Sequence, residues 1–127
     1  MELTRTSYVD AAENVVKKLK RNDRGQLLLT TSKIRNLLSM ISSIYNDVIH
    51  MGNEPLNDEI VERIQYLKMR FAYEAGRDKN MPVKDLIKVA EIWDVIDHIG
   101  RDRERCIIFC RYMEAIVAFH KFNGGRD

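Results

Sequence analysis

TTSKIRNLLSMISSIYNDVIHMG, residues 30–52, decides the fold class. Ile34, Leu37, Leu38, Ile41, Ile44, Tyr45, Val48 and Ile49 recur at steps of three and four, the spacing of a helix with one apolar face. Thr31 or Ser32 can cap the start, because a short side-chain oxygen there accepts from an orphan amide. Gly52 stops the run, since glycine enters the left-handed cap conformation without strain. The outer face carries Ser39, Ser42, Ser43 and Asn46, small and almost uncharged. Such a face suits close contact with another subunit or ordinary solvation equally.

Helical spacing continues on both sides. A first helix from about Ser7 to Arg21 puts Tyr8, Val9, Ala12, Val15, Val16 and Leu19 on one side, and Asn22, Asp23 and Gly25 end it. Leu27, Leu28 and Leu29 are adjacent and must bury, so the linker packs. A third helix follows Pro55, with Asn57 or Asp58 as cap, and ends near Gly76. Its core face is Ile60, Ile64, Leu67 and Phe71. After the loop Arg77 to Met81, Pro82 at a first-turn position opens a fourth helix running to about His98. Leu86, Val89, Ala90, Trp93 and Ile96 face inward there. Beyond Gly100, a fifth helix from about Asp102 to Phe122 is apolar on most sides, so it is central or shared with a partner. Asn123, Gly124 and Gly125 close it and leave 123–127 as a tail. The expectation is an all-α, compact five-helix bundle, a single domain over 1–127.

Composition agrees. A chain of 127 residues that is 45% hydrophobic can bury one core. With Gly 6 and Pro 2, it has too few breakers for a loop-rich or disordered chain. No apolar run approaches the ~20 residues of a membrane span, and the start MELTRTSYVD has no apolar export segment. Cys106 and Cys110 stand four apart on one predicted helix, where a disulfide is not expected, so a reduced cytoplasmic setting is.

A net charge of +2 argues for nothing by itself, but the charges are sorted. Residues 60–88 carry seven Lys or Arg against four acids, while 89–100 carry three acids and no Lys or Arg. Within the third helix, Arg63, Tyr66, Arg70, Tyr73 and Arg77 step along one edge. Guanidinium groups interleaved with phenol rings suit a surface that holds phosphates and packs on sugars or bases. The plainer alternative for Tyr66 and Tyr73 is packing at the core margin, which is preferred here. Trp93 is expected in the core.

Catalytic vocabulary is nearly absent. His50, His98 and His120 have no nearby ligand partner, HExxH and CxxC do not occur, and no glycine loop of the GxxxxGK[ST] kind precedes a helix. No cofactor or metal is expected. A helical ribonuclease of the HEPN type needs an Arg at short fixed spacing before a His. Ser43, Ile44 and Tyr45 stand there before His50, Glu91, Ile92 and Trp93 before His98, and Met113, Glu114 and Ala115 before His120. A Cys110–His120 nucleophile pair would require tertiary coincidence, and both residues suit the inner face of the fifth helix.

Three stretches carry a resemblance: LTTSKIRNLLS at 29–39, IQYLKMRFAYEAGR at 64–77 and YMEAIVAFHKFNGG at 112–125. In order and spacing they resemble the small subunit of the type III-A CRISPR effector (Csm) complex. The first helix, residues 1–22, is less diagnostic, and looser docking is expected for it. The resemblance implies a non-enzymatic helical bundle. Several copies would stack along a guide RNA–target RNA duplex, beside backbone and large subunits that carry the cleavage and signalling activities, and hold mainly the target strand through its phosphates. It implies RNA contact by Lys33 and Arg35 at the start of the second helix, where the helix end and its free amides add to anion attraction. Lys68, Arg70, Arg77 and Lys121 join them, with Arg63 a weaker candidate. At ~100° per residue, Arg63, Arg70 and Arg77 share one flank and Lys68 lies on the other. Glu74 is an i,i+4 partner for Arg70. The competing reading is a helical protein–protein adaptor in a ribonucleoprotein assembly, whose basic stripe meets an acidic partner without touching RNA.

Overall fold

The computed structural model describes residues 2–127. Its helices are α1 (Tyr8–Lys18), α2 (Thr31–Ile49), α3 (Asp58–Gly76), α4 (Pro82–Val89), α5 (Ile92–Ile99) and α6 (Arg103–Phe122). The fold is all-α as expected, and helix boundaries agree with the periodicity to within a few residues. The caps of two helices are those the residue types dictate: Asn57 Oδ1 accepts from Ile60 N at 2.9 Å and Asp102 Oδ1 from Arg105 N at 2.9 Å.

Among the described residues the helix count is six, not five, because the expected fourth helix breaks. Ala90 ends α4, and Glu91 takes left-handed φ 54, ψ 45 before α5 begins. No glycine or proline marks the break, and the apolar period runs through it. The cause is tertiary. The Tyr112 hydroxyl of α6 donates to the Ala90 carbonyl at 3.0 Å, and the bend lets Leu86 and Ala90 on one side and Ile92, Ile96 and Ile99 on the other all bury. A left-handed non-glycine residue costs about 1–2 kcal/mol, which one buried isoleucine offsets at about 1.5–3 kcal/mol.

Helix α2 lies between α3 and α6, and α1 packs mainly on α6. Helices α2 and α3 are antiparallel: Lys33 meets Asp78 at one end and Asp47 meets Arg63 at the other. Helix α6 also runs against α2, since Arg103 reaches the Ile49 carbonyl and His120 reaches the Leu29 carbonyl. Ala12, Val15, Val16 and Leu19 are buried, so α1 contributes to the core. Leu27 and Leu29 bury as expected of the linker. Trp93 does not: it is 37% exposed, at the surface of α5 rather than in the core.

Candidate nucleic-acid interface

One end of the bundle gathers the start of α2, the end of α3 and the end of α6. Lys33, in the first turn of α2, places Nζ 2.8 Å from Asp78 Oδ1. Asp78 is only 4% exposed at its side chain, and its Oδ2 accepts from Val83 N at 3.3 Å, at the start of α4. Arg70 and Arg77 each reach Glu74 Oε1 at 3.6 Å, the i,i+4 pair expected for Arg70 plus a second cation. Both guanidinium groups also lie against the Tyr73 ring, at 4.8 and 5.8 Å from its centroid. Lys33, Arg77 and Lys79, with the carboxylates Glu74 and Asp78 and the polar Ser32 and Asn36, line an open polar cleft of about 480 Å³ here. Lys121, in the last turn of α6, is 3.6 Å from Asp127 Oδ1. Arg35 is exposed one turn into α2.

Five of the seven expected contacts, Lys33, Arg35, Arg70, Arg77 and Lys121, therefore share one end of the molecule. The carboxylates that pair with them, Glu74, Asp78 and Asp127, are fewer than the cations. Lys79 lies on the same cleft and was missed by the sequence reading; its signal was a charged loop (RDKN, 77–80) joining two helices.

The other two do not join them. Arg63 donates to Asp47 Oδ2 at 2.7 Å and to Ser43 Oγ at 2.9 Å, which clamps α3 to α2 near the opposite end. Lys68 donates to Asp97 Oδ1 at 2.6 Å and sits 5.7 Å from the Trp93 ring, on the α5 side. The placement of Lys68 on the flank away from Arg70 is the one that helical geometry requires.

A further expectation is corrected: the first amides of α2 are not free. Thr31 N donates to the Arg126 backbone oxygen at 3.1 Å, and Ser32 N to that of Asp127 at 2.9 Å. Thr30 is the N-cap, without a side-chain cap bond. Residues 123–127 fold back to do this. Gly125 approaches the His120 ring so closely that an added Cβ would lie 2.2 Å from it. His120 is buried, with Nε2 2.7 Å from the Leu29 carbonyl, so Nε2 carries the proton. The Thr31 and Ser32 amides are therefore already satisfied within the chain.

Cys106, Cys110 and His120 are buried. The Cys110 thiol lies 3.9 Å from the Ile41 carbonyl, and its hydrogen bond with Cys106, together with burial, pushes it well above the ordinary thiol range. His120 points to Leu29, so no Cys–His pair forms. Among the described residues, no group of three or more His, Cys, Asp or Glu could hold a metal ion, and no helix is long and apolar enough to cross a membrane.

Comparison with known proteins identifies the family. A family model for Csm2 of type III-A matches residues 3–126. The protein called CRISPR system Cms protein Csm2 in Streptococcus thermophilus is 46% identical over 125 residues, 98% of each chain. The protein of the same name in Mycobacterium tuberculosis (strain ATCC 25618 / H37Rv) is 33% identical over 127 residues, 100% of this chain and 99% of its own. That of Enterococcus italicus is 33% identical over 137 residues, 96% of each. The chain belongs to the type III-A Csm2 family.

Proposed function

We propose that this member of the type III-A Csm2 family is a non-catalytic, RNA-binding small subunit of a cytoplasmic CRISPR interference complex acting in antiviral defence. Several copies stack along the guide RNA–target RNA duplex beside the backbone and large subunits, and each holds the target strand through its phosphates. One observation carries the reading: Lys33, Arg35, Arg70, Arg77, Lys79 and Lys121, from four segments, share one end of the fold with fewer carboxylates than cations. Phosphate contacts position a strand without reading its bases, which suits a machine whose specificity comes from guide pairing. Each grip is weak, and stacked copies multiply them. Lys68 and Arg63, held in internal pairs, contribute less than the clustered cations.

The test is a titration of single-stranded RNA with the isolated protein at two salt concentrations. Weak binding, indifferent to sequence and lost at higher salt, is expected. Tight, salt-insensitive, sequence-specific binding contradicts the proposal.

The adaptor reading draws on the internal pairing of Lys33, Arg63 and Lys68, which leaves fewer cations for RNA. Replacing Arg70 and Arg77 with Ala separates the two. Loss of RNA retention with intact assembly supports RNA binding, and loss of assembly with RNA binding unchanged supports the adaptor.

A further inference from the structure

We propose that the cleft at the basic end tells RNA from DNA: Glu74 accepts a hydrogen bond from the ribose 2′-hydroxyl of a nucleotide whose phosphate Arg77 and Lys79 hold. This rests on the RNA-binding reading above and adds recognition of the sugar to contact with the phosphate. The starting observation is an acceptor without a donor. Glu74 Oε1 is buried and, among the described residues, has no hydrogen-bond partner. Arg70 and Arg77 each stop 3.6 Å from it, beyond hydrogen-bond length. Both guanidinium groups lie instead against the Tyr73 ring, which is 54% exposed rather than packed at the core margin. A buried oxygen left in this condition is destabilising, so a ligand that donates to it gains free energy.

The lining decides which donor fits. The other carboxylate of the cleft, Asp78, is already held by Lys33 and the Val83 N–H. Lys79 is exposed and has no ion pair among the described residues, and the Arg77 side chain is 62% exposed. A phosphodiester oxygen only accepts, so a phosphate alone would engage those two cations and give Glu74 nothing. An amine or guanidinium group would donate to Glu74, but Arg70, Arg77 and Lys79 repel it. The ligand that satisfies both sides is a neutral hydroxyl joined to an anion. In RNA the 2′-hydroxyl stands on the ring carbon next to the one that bears the 3′-phosphate. Donor and anion are therefore neighbours in the strand, as Glu74 and Arg77 are in the cleft at 3.6 Å. Turning Arg77 outward to the phosphate uncovers Oε1 for the hydroxyl. DNA has no such group.

Asn36 supplies a second contact. It lines the cleft from α2, whereas Glu74 lines it from α3. Its side chain is exposed and makes no hydrogen bond among the described residues. An amide both donates and accepts, so Asn36 can donate to the hydroxyl oxygen while Glu74 takes the hydroxyl proton.

The experiment measures binding of the full chain to three single strands of one base sequence, carrying 2′-hydroxyl, 2′-deoxy or 2′-fluoro sugars. The 2′-fluoro strand keeps an RNA-like sugar shape but cannot donate. The 2′-hydroxyl strand is expected to bind about fivefold more tightly than either of the others, with one salt slope for all three because their phosphates are the same. Glu74→Ala should bring the three affinities together, and Asn36→Ala should lower the preference. Thermal melting checks that each variant stays folded, and the exposed Asn36 position decides the matter if Glu74→Ala does not fold. Equal binding of the 2′-hydroxyl and 2′-fluoro strands by the wild type, or an unchanged preference in a folded variant, overturns the inference and leaves the phosphate reading standing. Failure of all three strands to bind overturns both.

Discussion

Replacing Arg77 and replacing Lys33 should differ in their consequences for stability, although both residues sit on one cleft. Arg77 is 62% exposed at its side chain, and its only ion pair among the described residues is to Glu74 at 3.6 Å. Glu74 is 12% exposed, but a pair at this distance whose cation is mostly in water contributes about 0–1 kcal/mol, and Arg70 remains at the same Glu74 oxygen in its absence. Arg77→Ala should therefore leave the melting temperature almost unchanged. As a phosphate contact, however, Arg77 accounts for about 0.7 in the slope of log affinity against log salt for a single strand, which is about fivefold in affinity near 0.1 M salt. Lys33 differs because its partner Asp78 is nearly buried. Lys33→Ala leaves that carboxylate with the Val83 N–H, at 3.3 Å, as a remaining donor. A buried acceptor stripped of its main partner costs about 1–3 kcal/mol, or roughly 3–10 °C in melting temperature for a chain of this size. Fluorescence anisotropy across a salt series and thermal denaturation by circular dichroism measure the two effects. An unchanged salt slope in Arg77→Ala refutes the assignment of the basic end to phosphates. An unchanged melting temperature in Lys33→Ala refutes the account of the Lys33–Asp78 pair.

Gly125→Ala forces a Cβ into the His120 ring, so either the Leu29 bond or the covering of the Thr31 and Ser32 amides is lost. About 1–3 kcal/mol of stability should go, with faster hydrogen exchange at those two amides; wild-type exchange would show that the segment does not cover them. Tyr112→Phe removes the hydroxyl that binds the Ala90 carbonyl and should cost about 1 kcal/mol in urea unfolding, and a neutral result would mean that this bond does not hold the α4–α5 bend. The Arg5 guanidinium hydrogen-bonds Glu104 and holds its carboxyl below the ordinary glutamate value of 4.5. The stability from this pair should be fully present above pH 4.5 and fade as pH falls through the lowered value. Urea unfolding of Arg5→Ala and wild type at neutral and acid pH should therefore differ only at neutral pH, and a difference that grows on acidification would reverse the sign of the argument.

Sequence periodicity alone located every long helix. Ile34 to Ile49 and Ile60 to Phe71 step at three and four; Ile34, Leu37, Ile41, Ile44, Val48, Ile60, Ile64, Leu67 and Phe71 bury, while Ile49, expected on the same face, is 39% exposed. Local chemistry narrowed the α3 cap to Asn57 or Asp58, of which Asn57 is the one that caps, and placed Pro82 in the first turn of α4, because capping and proline stereochemistry depend on a few adjacent residues. The i,i+4 meeting of Arg70 with Glu74 was legible for the same reason. The α4–α5 break was not, since the hydroxyl that anchors Ala90 comes from Tyr112, distant in the chain.

The same division holds for the site. The chain's own order of residues determined that it is helical, that its arginines and tyrosines interleave along α3, and which family it resembles, because helical spacing and residue type are local properties. Tertiary structure decided which cations meet. It set Lys121 against Asp127 and Lys33 against Asp78, turned Arg63 into a clamp on Asp47, sent Lys68 to Asp97, and covered the Thr31 and Ser32 amides of α2 with residues 126 and 127. Those outcomes depend on how helices cross and which carboxylates they bring near, and no spacing within a single helix encodes that.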